Sequence, residues 1–131
     1  MATSEHLENI PSNVVEAMRA MLKECLVKAR GREAPGDGSM NLLGDRRVNK
    51  KWWLQASFLC DTRFEPKEPH VVVHAFHEDM ASKGFLREVV VYTRQDRLAL
   101  ANERLSKLLE MKRELDEEIH KCHTFLAQNG D

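Results

Sequence analysis

Residues 51–94, KWWLQASFLCDTRFEPKEPHVVVHAFHEDMASKGFLREVVVYTR, decide between an all-helical chain and a mixed one. Residues 51–60, 70–77 and 85–94 are rich in β-branched and aromatic side chains. Pro66 and Pro69 bracket a turn in the first gap, and residues 78–84 form the second gap, a turn with helical flavour. Such runs between breakers predict three strands. Short connections make an antiparallel meander the simplest pairing.

N-terminal to the strands, Val14, Val15, Met18, Met21, Leu22, Cys25, Leu26 and Ala29 recur at helical spacing, with Arg19, Lys23, Glu24 and Lys28 on the other face. The pattern predicts an amphipathic helix over residues 13–30. Ser12 or Asn13 offers an N-cap, with Glu16 placed for a capping box. Residues 1–11 read as a flexible, polar lead-in, too acidic for a signal peptide. Residues 31–48 hold Gly31, Gly36, Gly38, Gly44 and Pro35 and read as a mobile loop.

C-terminal to the strands, Leu98, Leu105, Lys112, Ile119 and Leu126 form one series, and Ala101, Leu108, Leu115 and Cys122 another. They interleave as heptad positions a and d, with only Lys112 polar. A helix over residues 95–128, closed by Asn129 and Gly130, follows. It reaches roughly 50 Å, much longer than a three-stranded sheet. Its first turns are expected to lie on the sheet. Leu109, Met111 and Phe125 widen the stripe at e and g positions. A seam this apolar calls for another helix. The candidate oligomerisation residues are Leu98, Leu105, Leu108, Leu115, Ile119, Cys122 and Leu126. A parallel pair would set Arg104 against Leu109 and gain nothing. An antiparallel pair centred near Met111 sets Arg104 opposite Glu118 in both halves, so the charges favour an antiparallel or bundle-like homodimer. A helix folded back along its own domain is the plainer alternative.

The expected fold is therefore α+β, in the order α-β-β-β-α. A small antiparallel sheet packs on an N-terminal helix, and a long coiled-coil-like helix follows. The organisation reads as a flexible 1–11, an α+β domain over 12–97 with a mobile basic loop at 31–48, and an oligomerisation helix over 98–128.

Bulk properties narrow the function. The chain has 131 residues and a net charge of −1, so attraction to polyanions must come from a local patch. No apolar run approaches the ~20 residues needed to cross a bilayer. Three scattered cysteines, Cys25, Cys60 and Cys122, suit a reducing, intracellular setting, cytoplasmic or nuclear.

Between Lys28 and Trp53, seven basic residues face three acidic ones, a local charge of +4. Arg46, Arg47, Lys50 and Lys51 run into Trp52 and Trp53. Cationic side chains can follow phosphates and indoles can stack on bases, so this segment is the candidate nucleic-acid surface, structured or double-stranded RNA foremost. Adjacent tryptophans in a strand point to opposite faces, which commits at least one to the core.

The α-β-β-β-α order resembles that of double-stranded-RNA-binding domains, whose last helix opens on a lysine-rich segment. Here that opening is Arg94, Gln95, Asp96 and Arg97, so the likeness stops at element order and implies no shared function.

Other chemistry finds little footing. His70 and His74 share a strand face roughly 13 Å apart, too far for one metal, and His77 points the other way. Cys60 lacks an identifiable base. No glycine-rich phosphate loop occurs in its required context. We expect no catalytic residue, metal or cofactor. The expected activity is non-enzymatic: an adaptor or subunit that binds itself or a helical partner, with dimeric RNA binding as the alternative and no membrane partner.

Overall fold

Alternating burial along residues 52–60 and a buried run at residues 70–73 build the centre of one antiparallel sheet. The computed structural model describes residues 3–63 and 65–130, less the side chains of 3 and 80–82. Along the chain run β1 (Thr3–His6), α1 (Ser12–Arg30), β2 (Gly38–Met40), β3 (Arg46–Arg47), β4 (Trp52–Cys60), β5 (His70–His77), β6 (Met80–Val89) and α2 (Arg94–Asn129). The fold class is α+β. The sheet has six strands in the order β1-β6-β5-β4-β2, with β3 also on β4, and every pairing is antiparallel.

The three expected strands form the β4-β5-β6 meander. Three further short strands add to it. β1 lies in the stretch read as flexible, whose residues 1 and 2 fall outside the described residues. β2 and β3 lie in the stretch read as a mobile loop. Leu42 and Leu43, between β2 and β3, are buried and pin this segment. The third strand is shifted toward the N-terminus of its expected place, because β5 and β6 turn tightly at residues 78–79 across a bulge between Ala75 and His77. Residues 90–93 instead leave the sheet. There the Tyr92 hydroxyl donates to the Ala29 and Arg32 carbonyls, at 3.2 and 2.9 Å. These bonds tie the segment after β6 to the end of α1, where the Ala29 carbonyl also accepts from the Arg32 amide at 3.1 Å.

The core lies between α1 and one sheet face. Val14, Met18, Met21, Cys25 and Ala29 of α1 meet Leu54, Ala56 and Phe58 of β4, Val71, Val73 and Ala75 of β5, and Leu86 of β6. Helical spacing supplies one side and period-2 alternation the other. α1 begins one residue before its expected start. Pro11 takes the N-cap position, and no side chain caps the helix. The Val14 and Val15 amides donate to the Pro11 carbonyl instead.

The chain divides into two compact units, Met1–Thr93 and Arg94–Asp131. The second is α2, a single helix of 36 residues.

Candidate functional site

Alternation along β3 and β4 splits the basic-aromatic segment between the two faces of the sheet. Arg46 pairs with Leu54 and Arg47 with Trp53, so the two arginines diverge. Arg46 turns toward α1, where its guanidinium donates to both Glu24 carboxylate oxygens at 2.6 and 2.9 Å. This fork-on-carboxylate geometry holds the Glu24 carboxyl below the usual range. Trp52 is buried on the same side and meets the His77 ring edge-on at 4.9 Å.

Arg47 and Trp53 turn the other way. The Arg47 guanidinium lies over the Trp53 ring, 5.4 Å from its centroid. Trp53 stacks on Phe76 of β5 at 5.6 Å, the planes 13° apart. Asp45, Arg46, Arg47 and Trp53 line a shallow pocket of about 320 Å³. Lys50 and Lys51 stand exposed at the tip of the β3-β4 hairpin. Asn49 orders that tip: its side-chain oxygen accepts from the Lys51 and Trp52 amides at 2.9 and 3.0 Å.

The sheet face turned away from α1 carries more than the sequence reading assigned to it. From Phe76 the ring contacts continue to His74 at 6.0 Å, from His74 to Phe85 of β6 at 6.1 Å, and from Phe85 to His6 of β1 at 6.0 Å. The Arg87 guanidinium lies 5.0 Å from the Phe85 centroid. A row of rings thus crosses β4, β5, β6 and β1, with Arg47 against Trp53 at one end and Arg87 against Phe85, next to the last ring. Burial, then the nearby Arg87 charge, pushes the His74 pKa down. The His74 Nδ1 and Arg87 Nε atoms are buried without a hydrogen-bond partner. Spacing in β5 holds the signal for this row: His74 and Phe76 share a face at i and i+2. Joining them to Phe85 and His6 requires the strand register, which a single chain's periodicity does not supply.

The second candidate surface is α2. No residue of this helix is buried. Among the described residues, Leu98, Leu105, Leu108, Leu109, Met111, Leu115, Ile119, Phe125 and Leu126 are 49–64% exposed. Cys122 is exposed as well. Lys112, the polar a position, reaches Asp116 of its own helix at 3.6 Å.

Among the described residues no cluster of His, Cys, Asp or Glu has the arrangement of a metal site. Cys25 is buried, and burial pushes its thiol up to about 11, far from a ready nucleophile. No described helix is long and apolar enough to cross a membrane. The chain matches no protein-family description, no curated protein and no solved structure.

Proposed function

We propose that this chain is a non-enzymatic assembly protein. Its C-terminal helix joins a second copy of itself or a helical partner, and the chain serves as an adaptor or subunit of a larger complex. The observation that carries this reading is the continuous apolar stripe of α2. Its nine exposed side chains span about 42 Å from Leu98 to Leu126. An apolar surface of that extent marks an interaction site far more often than a solvated one. Heptad spacing names the partner surface as another helix.

Light scattering after size exclusion tests this directly. The wild-type chain is expected at twice the single-chain mass or more, and Leu115→Asp at the single-chain mass. A wild-type chain that stays single at its highest soluble concentration, with no helical partner, overturns the reading.

A second reading, binding of RNA, is favoured by one observation: the Arg47 guanidinium on the Trp53 ring beside the exposed Lys50 and Lys51. Arg47, Lys50, Lys51 and Trp53 would make the contacts, with Arg46 held by Glu24 and Trp52 in the core. Affinity that falls steeply as salt rises, and falls further with Lys50→Glu and Lys51→Glu, is the expected result. Binding indifferent to salt would remove the electrostatic basis of this reading.

A further inference from the structure

We infer that the sheet face turned away from α1 is a binding platform for single-stranded nucleic acid, its rings taking bases and Arg47 and Arg87 taking phosphates. The inference rests on the RNA-binding reading and extends it from the β3-β4 hairpin to the whole face.

Three observations converge. First, Trp53, Phe76 and Phe85 are only partly buried, although they occupy strand positions on a sheet whose other face holds the packed core. Partly exposed rings in a continuous row present π surface to a ligand, and every base has a matching face. Second, two arginines lie against rings of the row, Arg47 of β3 on Trp53 at one end and Arg87 of β6 on Phe85, one ring short of the other end. From Trp53 on β4 across to His6 on β1 the row spans about 14 Å at ordinary strand spacing, longer than a single base. Third, the charges are sorted by face. The strand positions that share this face include Ser4, Gln55, Ser57, Arg87 and the buried Val72 and, among the described residues, no carboxylate. Glu5 instead pairs with Arg19 of α1, at 3.2 Å. Asp45 and Glu65 line pockets at the two rims, beside Arg47 and Arg87 respectively.

Single strands fit this surface better than a duplex. A closed duplex hides its base faces, whereas an open strand can lay them on rings one after another. Arg47 already occupies the Trp53 ring. A base entering that stack displaces the guanidinium, which is then free to meet the adjoining phosphate.

The test is fluorescence anisotropy of a short labelled oligouridylate and of a blunt RNA duplex, titrated with the full chain at low and near-physiological salt. Phe85→Leu, which keeps apolar bulk without the ring, Arg87→Glu and Arg47→Glu are compared, with thermal melting as the check on folding. Tighter binding of the single strand, weakened roughly tenfold or more by each folded variant, is the expected result. Two outcomes overturn the platform and leave RNA binding at the hairpin intact. One is binding lost with Arg47→Glu but untouched by Phe85→Leu and Arg87→Glu. The other is preference for the duplex. Failure of both ligands to bind at low salt overturns the platform and the RNA-binding reading together.

Discussion

Gly84 sits where β6 passes under the start of the chain. A Cβ there would strike the His6 backbone oxygen and come within 2.5 Å of the Ile10 side chain. The obstacle is partly backbone, which cannot rotate away as a flexible side chain can. Gly84→Ala is therefore expected to cost about 1–3 kcal/mol in urea unfolding, by pushing β1 off the sheet. An unchanged midpoint would mean that β1 contributes nothing to stability. His74 gives a second residue-scale test. Its cross-strand neighbours are Gln55 and Phe85, with Phe76 and Arg87 beside it. Burial first, and Arg87 second, hold its pKa below the ordinary 6.5. Around and below pH 6.5 the unfolded chain then binds more protons at this site than the folded one. Stability from the neutral ring is present above pH 6.5 and is lost as pH falls toward the lowered value. Melting temperatures of wild type and His74→Leu between pH 7.5 and 5 should therefore converge, or cross, as pH falls. A constant difference would show that His74 does not titrate differently on folding.

Elements differ in how plainly their residues announce them. α1, β4, β5 and α2 are legible because each is long enough for its period to repeat: Val14, Met18, Met21 and Cys25 on one helix face, Leu54, Ala56 and Phe58 on one strand face. β1, β2 and β3 run two to four residues, too short for any period, and are fixed by backbone pairing with β6 and β4. Glycine content read residues 31–48 as loose, yet Leu42 and Leu43 decide the matter by entering the core. Half of the candidate surface was legible for the same reason. The charge run names Arg47 and Trp53, whereas Phe85 and Arg87 join them only through register. Packing of the segment between β2 and β3 is testable at this scale. Leu43 is 7% exposed, so Leu43→Ala is expected to cost about 2–5 kcal/mol in urea unfolding. A loss below about 0.5 kcal/mol, the size of an ordinary surface change, would return the segment to a mobile loop.

At the scale of the whole molecule, the proposed pairing of α2 has a direction that can be tested. In the proposed antiparallel pair the a and d residues of α2 would match head to tail. Centred near residue 110, Leu98 meets Cys122, Ala101 meets Ile119, Leu105 meets Leu115, and Leu108 meets the stem of Lys112, whose ammonium is held outward by Asp116. Arg104 and Glu118, both g positions, would lie on the same flank, two residues out of level. In this arrangement the two copies of Cys122 stand about 36 Å apart, far outside the 4.4–6.8 Å between Cα atoms that a disulfide requires. A parallel pair would instead set them side by side at one d layer. Under mild oxidation the wild-type chain is thus expected to give no dimer linked through Cys122, while Leu98→Cys, which adds a thiol across from Cys122, should link readily. Non-reducing electrophoresis reads both, with Cys122→Ser as the control, and Cys25 stays silent because burial holds its thiol protonated. Rapid wild-type linkage abolished by Cys122→Ser would make the pairing parallel. Linkage only in Leu98→Cys would make it antiparallel.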